Sequence, residues 1–341
     1  MDHPPGAVPA VSGSAGVMSP VRSGRLVCWG TISRPSCQYI KGKSGLPRSL
    51  IGVSLSFVTV ILGVLTGVFV KQVSTDINLF TTIFYRFVFS LPLIFAFGFF
   101  VRGAQVMQIN QRRALIFRTF FGCCGMFLWF TSLRVMPFGM ATALFQSSVL
   151  FVTLLSPFLL GERVGLYRWT AVVAGLTGVI IIANPFSDEI SWAVLYGVAA
   201  SLAGAGLSLT LRQLGKGDEP VSVACWYNLS AFAVVCVLLV LFPDQLQSLA
   251  DAVLMDLVWL GIFGAGMQIT VTSAYRYADA VVVASMRYLQ MPLAGILGYV
   301  VFAEVMTAAE IAGAAIIILS CLVIAWRELV RARQVTNPVI D

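Results

Sequence analysis

Charge is scarce in this 341-residue chain: only 11% of its residues are Asp, Glu, Lys or Arg, whereas 58% are hydrophobic. A soluble protein typically carries about 25% charged residues. The mean hydropathy is +0.90, and apolar runs approach the ~20 residues that a helix needs to cross a bilayer. The composition therefore predicts an integral membrane protein and overrides the two soluble domains that length alone suggests.

Histidine is nearly absent, because His3 is the only one in the sequence. Seven cysteines form no CxxC pair, and most lie in apolar runs, where Cys acts as a small hydrophobe. The sequence also lacks HExxH and GxSxG motifs and a buried acid pair. We therefore expect no metal site, no cofactor, no disulfide framework and no enzyme activity.

Ten apolar segments follow Leu50, separated mostly by short loops, so neighbouring helices should pack antiparallel. Non-helical spans are discounted, because backbone polar groups must be paired in hydrocarbon. The segments lie at about residues 51–70, 79–101, 114–133, 137–160, 166–186, 192–211, 220–243, 255–275, 280–303 and 308–326.

The basic residues predict the orientation. With the N-terminus inside, 17 of the 22 Lys and Arg residues fall on the inner side, 2 fall in outer loops and 3 lie within spans. This bias predicts that both termini are cytoplasmic. It also explains the net charge of +7 without nucleic-acid binding. Residues 1–48 are basic and rich in Pro, Ser and Gly, which indicates a disordered cytoplasmic tail.

The chain contains an internal duplication. A shift of 142 residues places Glu162 on Glu304, and it also superimposes Arg134 on Arg276, Tyr85 on Tyr227, and Phe121-Gly122 on Phe263-Gly264. Because each half has an odd number of spans, five, the second half should enter the membrane from the opposite side. We predict one five-helix repeat at 49–186, an inverted second repeat at 187–327, and a cytoplasmic C-terminal tail at 328–341.

The chain resembles the EamA-type ten-helix transporters of the drug/metabolite transporter superfamily. The resemblance covers about residues 49–328. Its motifs are Leu159-Leu160-Gly161-Glu162-Arg163-Val164, Arg168-Trp169, Gly178-Val179-Ile180, Pro292, Phe302-Ala303-Glu304, Gly313 and Arg327-Glu328. The first half departs from the pattern because Leu150 stands where the second half has Pro292. Whether the fourth span bends like the ninth is therefore left open.

The resemblance implies an all-α, multi-pass inner-membrane protein that transports small molecules. It places the chain nearest to the bacterial branch with riboflavin or S-adenosylmethionine uptake. Amino-acid or metabolite efflux is the other expectation.

Three arginines lie within spans: Arg86, Arg118 and Arg287. Arg86 and Arg287 lie about 10 Å inside a span end, and no Asp or Glu lies in the middle of any span. A cationic cavity that binds a carboxylate or phosphate would use their forked donors. The alternatives are hydrogen bonds to helix carbonyls or snorkelling, for which the shallower Arg118 is best placed.

Polar residues near the middle of spans four, seven and nine predict the rest of the cavity. Hydrogen bonding between helices is the alternative for each of them. The candidates are Gln146, Ser147, Tyr227, Asn228, Ser285, Tyr288 and Gln290.

Glu162 and Glu304 lie at span ends, where a structural role such as capping the next helix is favoured over a gate or a proton site. Arg118 belongs to the same gating-or-structural group.

These features predict a secondary transporter of a small organic metabolite, with an anionic group, that works by alternating access. The expected partners are this substrate and lipid, not nucleic acid, and a homodimer is left open. A regulatory or sensory membrane protein without transport is the alternative.

Overall fold

The computed structural model describes residues 26–29, 36–39, 48–160, 166–183, 192–214, 217–249, 251–277, 283 and 286–336. The chain divides into two compact units, Met1–Leu46 and Pro47–Asp341. In the first unit, strand β1 (Leu26–Trp29) pairs antiparallel with β2 (Ser36–Tyr39). This hairpin lies within residues 1–48, the segment that the sequence predicts to be a disordered cytoplasmic tail. That this segment is a disordered tail on the cytoplasmic side stays a prediction.

The regular structure of the second unit is helical over its described residues, which confirms the all-α class of the membrane body. Helices satisfy their own backbone groups, as a bilayer requires. They are α1 (Arg48–Val73), α2 (Leu79–Arg102), α3 (Arg112–Val135), α4 (Phe138–Gln146), α5 (Ser148–Leu160), α6 (Leu166–Ala183), α7 (Trp192–Leu214), α8 (Pro220–Leu241), α9 (Asp251–Tyr277), α10 (Gln290–Phe302) and α11 (Ala308–Thr336), with 3₁₀ turns at Gly103–Met107 and Pro243–Gln245.

Among the described residues, eight helical segments are long and apolar enough to cross a membrane. Two shorter apolar helices, Trp169–Ile182 and Gln290–Phe302, lie within the predicted fifth and ninth spans. Each of the ten predicted segments therefore overlaps an apolar helix. That all ten cross the bilayer stays a prediction.

The duplication is visible in the helix boundaries. Helix α5 spans 148–160 and α10 spans 290–302, so both ends are shifted by the same 142 residues. The end of α3 at Val135 and the end of α9 at Tyr277 differ by the same shift. The repeat read from scattered identities is therefore also a repeat of helix boundaries.

The packing pairs follow the same repeat. Helix α1 packs along α9, and α3 packs along α7. Exchanging each helix for its equivalent converts the first pair into the second. Helix α2 also packs against α9. Three further pairs are α2 with α8, α6 with α11, and α4 with α10. Each of these joins a span to its own equivalent.

The two repeats also differ in direction. Lys71, at the end of α1, donates to the carbonyl of Met136 just beyond the end of α3 (2.6 Å). Leu214, at the end of α7, packs with Ala114 at the start of α3. The 24 residues of α3 separate these ends by about 36 Å. The equivalent helices α1 and α7 therefore end at opposite ends of α3.

Spans four and nine both bend near the middle. In span nine, Pro292 has no N–H to offer, and Met291 N donates to Tyr288 O instead (3.1 Å). In span four, Leu150 N donates to Ser147 O, three residues back (2.9 Å). The helix of span four is therefore interrupted at Ser147, and α5 begins at the position equivalent to the start of α10 although span four has no proline there.

Asp218 ties together one end of the bundle. Its carboxylate accepts from the backbone N–H groups of Asn110 (2.7 Å) and Gln111 (3.0 Å). Its side chain is buried. One carboxylate therefore satisfies two donors just before α3 begins.

Replacing Asp218 with Ala should lower stability. Two backbone donors would lose their acceptor, at a cost of about 1–3 kcal/mol. The temperature at which half of the purified protein unfolds in detergent should then be a few degrees lower than in the wild type.

Asp244→Ala is the matched control, because Asp244 is exposed. Equal unfolding temperatures for the Asp218 and Asp244 variants would contradict the assigned role of Asp218.

Candidate functional site

Arg86 on α2 is buried in the bundle, with 4% of its surface exposed. Its Nη1 lies 2.9 Å from the sulfur of Met126, a weak acceptor. Its guanidinium also lies 5.1 Å from the ring of Phe87 and 5.7 Å from that of Phe130. Its Nε has no hydrogen-bond partner among the described residues. Aromatic faces and a thioether thus replace the counter-ion that a buried guanidinium normally has.

Arg118 on α3 is also buried, with 5% of its surface exposed. Its guanidinium lies 3.9 Å from the centre of the Tyr227 ring on α8. Its Nε and Nη1 have no hydrogen-bond partner among the described residues. Snorkelling, the structural alternative for this residue, is therefore wrong: stacking on Tyr227 holds the side chain inside the bundle.

The two arginines converge. Both guanidiniums lie close enough to Tyr227 and Cys123 to interact with them electrostatically. Along its helix axis, Arg86 lies about 10 Å from the start of α2, and Arg118 lies about 9 Å from the start of α3. These starts lie at opposite ends of the bundle, so the side chains approach its middle from both sides. Within the described residues, the ion pair found joins Lys71 to Glu304 and involves neither arginine.

Two equivalent glycines make room for these arginines. A Cβ at Gly122 would lie 2.6 Å from Nη1 of Arg118, and one at Gly264 would lie 3.2 Å from Nε of Arg86. Phe121-Gly122 and Phe263-Gly264 are one of the repeated pairs in the sequence. The repeated Phe-Gly pair in the sequence therefore marks both contacts.

Asn228, the equivalent of Arg86, is 1% exposed. Its Nδ2 donates to the carbonyl of Ala224 (2.8 Å). Its Oδ1 accepts from no described residue. The two equivalent positions thus hold an unpaired donor, Arg86 Nε, in one repeat and an unpaired acceptor, Asn228 Oδ1, in the other.

Gln146 joins the two bends. Its Nε2 donates to Arg287 O (2.6 Å) and to Oε1 of Gln290 (3.2 Å). Met291 N, the usual helical partner of Arg287 O, bonds to Tyr288 instead. Gln146 therefore satisfies a carbonyl that the proline bend releases.

The other predicted site residues are distributed as follows. Ser147 donates to Leu144 O (2.6 Å), and the hydroxyl of Tyr288 bonds to Cys321. The side chain of Arg287 is partly exposed, and no described contact joins it to Arg86. Ser285 and Glu162 lie outside the described residues.

Trp129 is a further polar group near the middle of the bundle. Its ring stacks on Phe145 with centroids 5.3 Å apart. Its Nε1 is buried and has no described partner. Trp129 is not among the predicted site residues, because an aromatic side chain in an apolar span usually packs.

Glu304 lies at one end of the bundle, where it pairs with Lys71 and accepts from Phe138 N (2.7 Å). The helix that follows Glu304 is capped by Thr307 and Glu310, whose side chains accept from each other's backbone N–H groups. Glu304 therefore caps α4 of the first repeat rather than the next helix.

Known proteins share this architecture. A riboflavin transporter of Vibrio cholerae is 31% identical over 234 residues, covering 68% of this chain and 78% of that protein. An S-adenosylmethionine uptake transporter of Rickettsia felis is 25% identical and covers 83% of this chain and 95% of that protein. Human solute carrier family 35 member G1 is 25% identical and covers 94% and 90%, respectively.

A solved crystal structure with 18% identity covers 82% of this chain and 99% of that chain, with a TM-score of 0.60. This likeness concerns the fold alone. Residues 50–184 and 191–326 each match the EamA-like transporter family, in agreement with the two predicted repeats. The chain therefore belongs to the EamA-like transporter family of the drug/metabolite transporter superfamily and is a multi-pass inner-membrane protein.

Proposed function

We propose that this chain is a secondary transporter that carries a small organic metabolite with an anionic group by alternating access. Its family and the names of its relatives point to transport of small molecules rather than to catalysis. The sequence has no ATP-binding motif, so the energy comes from a gradient or from exchange.

The observation that carries this proposal is the pair Arg86 and Arg118. Two buried guanidiniums with unpaired N–H groups are costly in a bilayer interior unless an anion compensates them. A carboxylate or phosphate between them would accept those N–H groups, as forked guanidinium donors favour. Substrate binding would thus supply the counter-ion that the described residues do not provide.

The opposed directions of α1 and α7 and the exchange of packing pairs support an inverted pair of five-span repeats. In this arrangement all ten apolar segments cross the membrane and both termini are cytoplasmic, as the basic residues predict. Arg86 and Asn228 are equivalent under the repeat, so they approach the interface between the halves from both sides. A site there is reachable from either face as the halves rock.

The free acceptor on Asn228 narrows the substrate class to compounds with a hydrogen-bond donor beside the anionic group. S-adenosylmethionine, the named substrate of relatives such as that of Rickettsia felis, has an amine beside a carboxylate. An amino acid meets the same requirement. Riboflavin, named for the Vibrio cholerae relative, has donors but no anionic group, so it is the comparison compound.

A regulatory or sensory protein without transport is the alternative function. To test it, a thermal-shift screen with amino acids, riboflavin, S-adenosylmethionine and nucleotides first finds a compound that stabilises the protein. Vesicles containing the protein are then tested for uptake of that compound. Accumulation supports the transporter, whereas stabilisation without uptake supports the alternative.

Arg86→Gln and Arg118→Gln should each reduce uptake of the stabilising compound by about tenfold or more. Each variant removes a charge-assisted hydrogen bond, which typically contributes about 1.5–3 kcal/mol. Initial uptake rates in proteoliposomes of equal protein content measure the loss.

Arg113→Gln is the matched control, because Arg113 lies on the same helix as Arg118 but is exposed. Full uptake in both the Arg86 and Arg118 variants would refute the cationic site.

Asn228→Leu should abolish the preference for substrates that carry a hydrogen-bond donor beside the anionic group. Wild-type protein should bind L-methionine about tenfold more tightly than its deaminated analogue 4-methylthiobutanoate, because only the amino acid can donate to Oδ1. In the variant the two affinities should be similar. Dissociation constants from thermal-shift titrations give the ratio.

An unchanged ratio in the Asn228→Leu variant would exclude Asn228 from recognition while leaving the arginine site in place. Thr119→Val is the control, because Thr119 hydrogen-bonds Ser230 elsewhere on the α3–α8 contact (2.7 Å).

A further inference from the structure

One end of the bundle is closed by an ion pair between Lys71, in the last turn of α1, and Glu304, two residues beyond α10. Only 14% of the Lys71 side chain and 20% of the Glu304 side chain are exposed. Lys71 also donates to the carbonyl of Met136 after α3 (2.6 Å). Removing one partner of a partly buried, hydrogen-bonded pair costs more free energy than breaking an exposed pair, because the other charge is left uncompensated.

The same carboxylate also holds the start of α4. Phe138 N, which opens α4, donates to Oε2 of Glu304 (2.7 Å). The residue before it, Pro137, has no side chain that could cap the helix. Glu304 is presented by Ala303, which adopts the left-handed conformation (φ 53°). One side chain therefore joins α1, α4 and α10.

The helices behind this pair are in close contact. A Cβ at Gly139 on α4 would lie 3.0 Å from the Cα of Gly295 on α10 and 2.7 Å from the sulfur of Met306. On α10, a Cβ at Gly298 would lie 3.3 Å from Oε2 of Glu304. Opening this end requires α4 and α10 to separate, which breaks the contacts of Glu304.

The sequence does not repeat the lysine of this pair. Under the shift of 142 residues, Glu304 corresponds to Glu162, but Lys71 corresponds to the neutral Gln213. The residue equivalents of Lys71 and Glu304 therefore cannot form the same Lys–Glu pair.

We infer that Lys71 and Glu304 form a latch that keeps the predicted outer end closed, so that the empty protein opens by preference at the cytoplasmic end. This inference rests on the alternating access proposed above. The latch acts by lowering the energy of the closed outer end through an ion pair whose lysine has the neutral Gln213 as its equivalent at the other end.

The test measures access to the outer end directly. Ala294→Cys places a thiol at a fully buried position of α10, one turn before Gly298. Right-side-out membrane vesicles are treated with a membrane-impermeant maleimide, and each background is measured with and without the Ala294→Cys substitution. The difference between the two measurements reports the opening between α4 and α10.

Lys71→Gln, which copies the residue at the other end, and Glu304→Gln should each raise the labelling rate about tenfold. Glu304→Gln retains an oxygen that can cap Phe138 N and removes only the charge. Lys71→Arg and Glu310→Gln, the latter at a neighbouring acid that caps its own helix, should label like the wild type. The charge exchange Lys71→Glu with Glu304→Lys should restore slow labelling.

Unchanged rates in both Gln variants would overturn the latch. A faster labelling rate in Glu304→Ala without a faster rate in Glu304→Gln would also overturn it, because the cap on Phe138 N and not the charge would then close this end. If the labelling rate rose as much in Glu310→Gln as in Glu304→Gln, the cause would be a general loosening of the helices, and the latch would also be refuted. Uptake measured on the same vesicles distinguishes failure of the latch from failure of the proposed transport function. Retained uptake with unchanged labelling rates would refute the latch and leave the transport function in place.

Discussion

The hydrocarbon of a bilayer provides no water to polar groups, and most of this architecture follows from that constraint. Helices satisfy their own backbone, so the membrane body is helical. Where a helix begins or bends, side chains complete the missing bonds. Asp218 accepts two N–H groups before α3, Glu304 accepts one at the start of α4, and Gln146 donates to the carbonyl released by the bend at Pro292.

Arg86, Arg118 and Asn228 stand out against this background. Each is buried and retains polar atoms with no partner among the described residues. Trp129 Nε1 and Arg134 Nη1 are also buried without a described partner. The proposed anion site accounts for the two arginines, because a ligand can complete bonds that the protein leaves open.

The two repeats share helix boundaries and packing, but they differ in the side chains at several equivalent positions. Gly122 and Gly264 occupy equivalent positions and each leaves space beside a buried arginine. The basic residues of the proposed site and of the Lys71–Glu304 pair are not repeated: Arg86 is equivalent to Asn228, Arg118 to Leu260 and Lys71 to Gln213. In the proposed mechanism, equivalent backbones let the halves rock between similar states, while the unequal side chains distinguish the two halves.

The sequence by itself determined the apolar helical segments, the duplication and the family, because these depend on local hydropathy and on a fixed shift along the chain. It also predicted arginines within the apolar segments. Only the tertiary structure decided that Arg118 turns inward onto Tyr227, that span four bends without a proline, and that Gln146 serves the bend of span nine. Those outcomes depend on contacts between helices far apart in the chain, and no local pattern records which neighbour a side chain will meet.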